Sequence, residues 1–144
     1  MEKDITLQNL IENSDNIVFF GGAGVSTQSG IPDFRGQDGL YQKAYEHPPE
    51  TILSHTFYEK KPELFFRFYR EKMLYLNALP NATHKKLAEL EKLGKLKAVI
   101  TQNIDGLHQQ AGSKNVLELH GSVHRNYCEC CHAFYDVTDI QNTK

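Results

Sequence analysis

His120, Asp105, Asn103 and Gln102 are the residues whose types and spacing most invite chemistry. His120 lies in Leu119-His120-Gly121. An imidazole titrates near neutrality and is a natural general base. It reads equally as a structural histidine, and His124, past Gly121, is the lesser candidate. The stretch Thr101-Gln102-Asn103-Ile104-Asp105-Gly106 supplies two amides and a carboxylate. Amides can hold ribose hydroxyls or a carboxamide, and a carboxylate can hold a ribose diol or oppose a developing cation. Asn-x-Asp-Gly is also an ordinary turn signal.

A second group surrounds two glycines. Gly22-Ala23-Gly24 follows the apolar run Ile17-Val18-Phe19-Phe20, which reads as a buried strand. Glycines at a strand end let the backbone turn sharply and approach a ligand closely, and a following helix points its amides at a phosphate. Thr27 stands where a third glycine of the dehydrogenase fingerprint belongs. About 20 residues on, where that unit has a second strand and a ribose-binding acid, the chain reads Tyr45-Glu46-His47-Pro48-Pro49. A plain dehydrogenase fits poorly. In Gly30-Ile31-Pro32-Asp33-Phe34-Arg35-Gly36, Arg35 can pair a phosphate bidentately and Phe34 can cover a flat heteroaromatic ring. The plainer readings are a surface ion pair and core filler.

A third group is Cys128-x-x-Cys131, half of a zinc site. Structural zinc takes four ligands, commonly two such pairs about 15–20 residues apart. Only 13 residues (144 − 131) follow Cys131, and none is cysteine. Cys130 and His132 are spare donors, but adjacent residues rarely reach one ion tetrahedrally. The three cysteines all fall within 128–131, a crowding that argues for metal rather than a disulfide framework and suits a reducing cytoplasm.

These residues need a scaffold that gathers them. The patterning predicts an amphipathic helix over Asp4 to Glu12, a strand over Asn16 to Phe20 and a short helix over Val25 to Ser29. Residues 30–55, with Pro32, Pro48 and Pro49, have no clean period and read as a long loop. Pro62 opens a helix to about Leu76, rich in aromatics (Phe65, Phe66, Phe68, Tyr69, Tyr75) that either pack a core or wall a substrate channel. Pro80-Asn81-Ala82-Thr83 caps a helix running to Leu93 and ended by Gly94. Strands follow over Leu96 to Thr101 and Val116 to His120, with a loop and short helix over Asn103 to Gly112 between them. Strands alternating with helices indicate an α/β domain with a parallel sheet. Ligands bind such sheets at the carboxyl ends of the strands. Gly21, Gln102 and His120 each stand at such an end.

The bulk numbers agree with one globular unit: 144 residues, 40% hydrophobic, 24% charged, net charge −2. That charge makes no case for nucleic acid. The most basic window, His84 to Lys97, reads as a solvated helix face. No apolar stretch approaches the ~20 residues of a membrane span, and the N-terminus lacks the parts of a signal peptide. A cytoplasmic location is expected.

Together, Gly22-Ala23-Gly24-Val25-Ser26, Gly30-Ile31-Pro32-Asp33-Phe34-Arg35, Thr101-Gln102-Asn103-Ile104-Asp105, Leu119-His120-Gly121 and Cys128-x-x-Cys131 resemble a sirtuin of the short bacterial type, in the family's order and over nearly the whole chain. The resemblance implies a Rossmann-like parallel sheet over 1–124, with a helical insertion at about 37–80, and the first half of a zinc-binding module over 125–144. It implies NAD and zinc as cofactors and acetylated protein lysines as substrates. Gly22, Ala23, Gly24, Thr27 and Arg35 would line the pyrophosphate and ribose. Phe34, with Ile104 and Asp105, would enclose nicotinamide, beside Gln102. Asn103 would order the ribose or a water. His120 would act as general base at the ribose hydroxyls once the acyl oxygen has displaced nicotinamide, and Cys128 and Cys131 would ligate zinc. Products would be lysine, nicotinamide and O-acetyl-ADP-ribose.

The resemblance also has departures. The family continues with a second cysteine pair, further strands, a Gly-x-Ser segment and the substrate-clamping loop, which this sequence does not contain. In Tyr69-Arg70-Glu71-Lys72, Lys72 occupies the place of the arginine that succinyl-selective relatives carry. Lysine is the poorer bidentate partner, so an acetyl preference is expected. Mono-ADP-ribosyl transfer, or a non-catalytic NAD- or zinc-binding module, are the alternatives. The 144-residue chain alone is expected to have little or no deacylase activity; robust NAD-dependent turnover by the purified chain refutes this.

Overall fold

The computed structural model describes residues 6–36, 39–42 and 45–143. Three parallel strands form its centre: β1 (Ile17–Gly21), β2 (Leu96–Thr101) and β3 (Val116–Glu118), in the order β1-β2-β3. Their register aligns Phe19 with Val99 and Val99 with Val116. Around them, in chain order, lie α1 (Leu7–Glu12), α2 (Pro49–Ile52), α3 (His55–Lys60), α4 (Pro62–Lys72), α5 (Ala82–Lys92), α6 (Leu107–Ala111) and α7 (Val137–Asn142). A two-stranded antiparallel hairpin, β4 (Asn126–Tyr127) and β5 (Phe134–Tyr135), carries the cysteines. The α/β class and parallel sheet are as expected from the sequence.

The core lies on one face of the sheet. Leu87, Leu90, Leu96 and Val99 are buried together, with Ile11, Ile17, Phe19 and Val116 packed against them. Each fully buried aliphatic side chain contributes about 1.5–3 kcal/mol. α5 supplies Leu87 and Leu90 at one-turn spacing, and its N-terminus is fixed by a reciprocal capping box between Asn81 and His84. Gly94 follows at φ 74° and turns the chain into β2. Lys95, within the basic window, is not simply solvated. Its ammonium donates to the carbonyls of Ile11, Glu12 and Ser14 at 2.9–3.2 Å, terminating α1.

A separate helical module forms its own small core from Ile52, Phe57 and Phe68, with Tyr45, Leu53, Leu64, Phe65 and Met73 against it. Phe65 and Tyr69 stack at 5.8 Å, and Tyr45 meets Phe68 edge-on at 5.4 Å. The aromatics of α4 therefore serve packing first.

Several boundaries differ from the sequence reading. The 30–55 loop contains a 3-10 turn, Leu40–Gln42, and the short helix α2, where Pro49 occupies the first turn that a proline tolerates. α3 is a helix of its own, capped by Ser54 accepting from the Phe57 amide. α4 stops at Lys72 rather than Leu76. β3 stops at Glu118, because Gly121 (φ 79°) begins a turn, although the Leu119 amide still donates to the Thr101 carbonyl at 2.9 Å. β1 is buried on one side only: Val18 is 54% and Phe20 62% exposed. The expected first helix begins at Leu7; its residues 4 and 5 lie outside the described ones, as do 37, 38, 43 and 44 of the helical insertion. The hairpin and α7 had no periodic signal, being too short to show one.

The segment after β1 is a 3-10 helix, Ala23–Ser29, ended by Gly30 in the left-handed region (φ 84°). Nothing lies within 4 Å of a Cβ built on Gly30 or on Gly24, but only Gly30 has the positive φ. Gly30→Ala is thus expected to cost about 1 kcal/mol, lowering the melting temperature by roughly 4 °C, while Gly24→Ala leaves it unchanged. Thermal denaturation followed by circular dichroism checks the pair.

Candidate active site

The three parallel strands deliver their carboxyl ends to one place. The Gln102 amide donates to the Gly21 carbonyl at 2.9 Å, locking the turn after β1 to the turn after β2. A Cβ at Gly22 would meet the Gln102 side-chain oxygen at 3.1 Å, so the backbone there runs close beside that amide.

Across this junction runs a hydrogen-bonded network. Ser26 Oγ donates to Asp105 Oδ2 at 2.6 Å, and Asn103 Nδ2 donates to Ser26 Oγ at 3.0 Å. Asp105 Oδ1 accepts the Leu107 amide at 3.0 Å, and the Asn103 amide donates to Thr101 Oγ1 at 3.0 Å. Ser26 is 1% and Asn103 9% exposed. Asn81, the cap of α5, braces the same turn by donating to the Val25 carbonyl at 2.7 Å and Ser29 Oγ at 3.0 Å.

His120, two residues past the end of β3, is tied to the residue that precedes Asn103. Its Nδ1 lies 2.9 Å from the Gln102 carbonyl oxygen. A carbonyl only accepts, so Nδ1 carries the proton and Nε2 is left as an exposed acceptor. His124 is held by the same loop, with Nε2 3.2 Å from the Asp105 carbonyl oxygen, so its free acceptor is the other nitrogen.

The Gly30 to Gly36 loop makes a neighbouring unit. The Gly36 amide donates to Asp33 Oδ1 at 2.8 Å, and the amides of Leu40 and Tyr41 donate to the carbonyls of Asp33 and Phe34. Phe34 packs on Tyr41 at 5.4 Å, and the Arg35 guanidinium lies 5.5 Å from the centre of the same ring. Among the described residues no hydrogen bond or ring contact joins Phe34 or Arg35 to Asp105 or His120. Gly22, Gln102, Asn103, Asp105 and His120 are thus brought together. Ala23, Gly24 and Thr27 lie along the adjoining 3-10 helix, where Thr27 Oγ1 donates back to the Gly24 carbonyl. Ile104 is tied through its carbonyl to the Val123 amide at 3.0 Å.

Three contributors were not expected at the site from the sequence: Ser26, His84, and Asn81, which read only as the cap of α5. Ser26 is the fifth residue of the glycine motif, and its spacing gave the only available signal. His84 and His108 form a buried imidazole pair behind the site, 0% and 1% exposed, with ring centres 4.7 Å apart. His84 Nδ1 accepts from the Asn81 amide, whereas Nε2 of His84 and both nitrogens of His108 have no hydrogen-bond partner among the described residues. Burial lowers the pKa of His84, and burial followed by the neighbouring imidazole lowers that of His108 to about 4.

The cysteines sit at the tip of the β4–β5 hairpin. The Cys128 amide donates to Ala133 and the His132 amide to Cys128, with His132 at φ 58°. Backbone amides of Cys131 and then Cys130 hold the Cys128 thiol below its usual pKa. Among the described residues no group of three or more His, Cys, Asp or Glu is arranged to hold a metal. Arg125 pairs with Glu118 of β3 at 2.6 Å, and Tyr58 of α3 donates to Glu129 at 3.1 Å, so the hairpin is anchored to both neighbouring units. No helix among the described residues is long and apolar enough to cross a membrane.

Residues 22–144 match the model of the Sir2 family. The chain belongs to the Sir2 family. It is 60% identical over 140 residues to an NAD-dependent protein deacetylase of Clostridium perfringens, covering 96% of this chain and 57% of that one. With the protein of the same name from Clostridium tetani it shares 59% identity over 146 residues, 100% of this chain and 59% of the relative. Among solved structures, a Sir2 with p53 peptide and NAD+ matches at TM-score 0.79 and 46% identity, over 92% of this chain and 51% of that one. A Sir2 variant with deacetylated p53 peptide and 3′-O-acetyl ADP ribose matches at TM-score 0.83 and 47% identity, over 91% and 52%. This Sir2 chain therefore spans between half and three fifths of the length of these relatives.

The histidine pair gives a pH dependence with a definite sign. Neutral in the fold, both imidazoles are protonated more readily in the unfolded chain. The stability this confers is complete above the unfolded pKa of 6.5 and is lost as pH falls from 6.5 to about 4. For His108 the difference is on the order of 3 kcal/mol. Urea titrations at pH 7.5 and 5.0 are expected to show a lower midpoint in acid, and His108→Leu to flatten that slope by about one proton.

Proposed function

We propose that this Sir2 chain carries the nicotinamide- and ribose-handling part of an NAD-dependent protein-lysine deacetylase. The observation that carries the reading is the Ser26–Asn103–Asp105 network at the carboxyl ends of the parallel strands, with His120 bonded to the Gln102 carbonyl beside it. It is supported by relatives named as NAD-dependent protein deacetylases and by related Sir2 chains holding NAD+ or 3′-O-acetyl ADP ribose with p53 peptide.

The residues fit NAD. Gly24 leaves open space where any side chain would intrude, Gly22 brings the backbone alongside Gln102, and the 3-10 helix from Ala23 to Ser29 presents its first amides at the strand end. Gly22, Ala23, Gly24 and Thr27 would line the pyrophosphate, with Arg35 as its charged partner. Gln102, Ile104 and Asp105 would border the nicotinamide ribose, and Phe34 would cover the reacting centre against water. When bound, NAD supplies an electrophilic ribose carbon with nicotinamide as leaving group.

The chain's own residues then have separable tasks. Asp105, its carboxylate held by the Ser26 hydroxyl and the Leu107 amide, would oppose positive charge growing at a bound ribose. Asn103, fixed by Ser26 and Thr101, orients a hydroxyl or a water. His120 would accept a ribose hydroxyl proton at Nε2, because the Gln102 carbonyl occupies Nδ1. The donor set Cys128 and Cys131 suits zinc as half of a tetrahedral thiolate site. There zinc would brace the hairpin and take no part in the proton steps. Residues 1–124 and 125–144 would divide into the NAD-binding unit and the start of that zinc module.

Titration of the chain with NAD, followed by amide NMR, is expected to shift Gly22, Gly24, Ser26, Asn103 and Asp105. An unresponsive set would defeat the reading. Gly24→Ala is expected to weaken NAD binding about tenfold with the melting temperature held. His120→Ala is expected to retain NAD binding but lower deacetylation by two orders of magnitude or more in an active assembly. Mass spectrometry separates the chemistry: free O-acetyl-ADP-ribose supports deacetylation, whereas ADP-ribose left on a protein target indicates transfer.

A further inference from the structure

The loop that carries His120 and His124 has its two ends joined to each other. Arg125 Nη1, at its far end, lies 2.6 Å from Oε2 of Glu118, at its near end. The other carboxylate oxygen of Glu118 accepts from Gln109 Nε2 of α6 at 2.9 Å. The Glu118 side chain is 5% exposed and that of Arg125 50%. A carboxylate so enclosed depends on its countercharge, and breaking such a pair costs far more than losing a surface ion pair. The pair is thus unlike Lys86–Glu89 on α5, where both side chains are more than half exposed.

Between those ends the loop rests on three carbonyls of the 102–105 segment. The Gln102 carbonyl meets His120 Nδ1 at 2.9 Å, the Ile104 carbonyl accepts the Val123 amide at 3.0 Å, and the Asp105 carbonyl meets His124 Nε2 at 3.2 Å. A carbonyl only accepts, so the two imidazoles are held in opposite tautomers: His120 protonated at Nδ1, His124 at Nε2. The loop's own hydrogen bonds are long. Gly121 to the Glu118 carbonyl and Arg125 to the Ser122 carbonyl are both 3.4 Å, and the His124 amide to Ser122 Oγ is 3.2 Å. Such bonds set its position weakly, which leaves the ion pair as the strong contact at its base.

We propose that Glu118 and Arg125 are positioning residues for His120. Their ion pair, steadied by Gln109, closes the loop and keeps His120 Nδ1 on the Gln102 carbonyl, with Nε2 left as the acceptor. The catalytic consequence rests on the reading of His120 as the base; the positioning itself does not. Arg125 directly precedes β4, so the same pair ties the setting of His120 to the seating of the cysteine hairpin.

The test reads imidazole tautomers in the 144-residue chain by long-range proton–nitrogen NMR, at alkaline pH where the rings are neutral. In the parent, His120 is expected in the Nδ1–H form and His124 in the Nε2–H form. Arg125→Met is expected to lower the Nδ1–H to Nε2–H ratio of His120 about fivefold, the worth of one hydrogen bond. Glu118→Gln is expected to act in the same direction, the double variant to go little further than either, and Arg125→Lys to restore most of the ratio. His55, on the exposed face of α3, is the internal reference and stays unchanged. If Glu118→Gln does not fold, Arg125→Met at the half-exposed partner still decides. An unchanged His120 ratio in folded Arg125→Met overturns the proposal, even where the melting temperature falls, because a merely structural pair lowers stability without resetting a tautomer. The ratio is read without NAD or turnover. A His120 tautomer that follows Arg125 in a chain whose His120→Ala variant loses no activity in an active assembly retains the positioning and defeats the catalytic reading instead.

Discussion

The hydrogen bond from Ser26 Oγ to Asp105 Oδ2, 2.6 Å long and crossing 79 positions of sequence, holds the candidate site in one piece. It joins the 3-10 helix after β1 to the loop after β2, two segments that share no regular secondary structure. Asn103 completes the junction from within, and Asn81 clamps the far end of the 3-10 helix from the cap of α5. Ser26 is almost wholly buried. A hydroxyl in that position costs free energy unless it is paired. Both of its roles, donor to a carboxylate and acceptor from an amide, are used. The network therefore fixes Asp105 and Asn103 in one orientation before any ligand arrives, which is the preorganisation that electrostatic catalysis requires.

Around that junction the molecule divides into units joined by few, specific polar contacts. The sheet and its single helical layer form one core; α2, α3 and α4 form a second; the cysteine hairpin is anchored to the first by Arg125–Glu118 and to the second by Tyr58–Glu129. The Phe34–Tyr41–Arg35 cluster is likewise self-contained, closed by backbone hydrogen bonds of the 33–41 segment. Two parts of the chain thus have different characters: a hydrogen-bonded polar junction at the strand ends and, among the described residues, an exposed apolar sheet face.

Much of this was legible in the residues themselves. The strand run at Leu96 to Thr101, the Asn81 cap and Gly94 stop of α5, and the placing of Gly21, Gln102 and His120 at strand ends all followed from local patterns, because caps, turns and strand ends are set by neighbours in sequence. Short elements were not legible. α2, α3, α7 and each strand of the β4–β5 hairpin span six residues or fewer, too short for a period to show. The strand at Ile17 to Phe20 looked buried because its residues are uniformly apolar, yet exposure alternates along it.

The sequence by itself determined the chemical inventory: a base, a carboxylate, two amides, a glycine turn and a pair of thiols, in an order that assigns the chain to its family. Residue types and local turns carry that information because each depends on at most a few neighbouring positions. Only the tertiary structure decided which nitrogen of His120 is free, that Ser26 rather than the glycines binds the two loops together, that His84 and His108 meet in the interior, and which face of the sheet the described helices pack. Those outcomes depend on distances between segments tens of residues apart. They are fixed by strand register and by the need to pair every buried polar group, and neither constraint is written in any one stretch of chain.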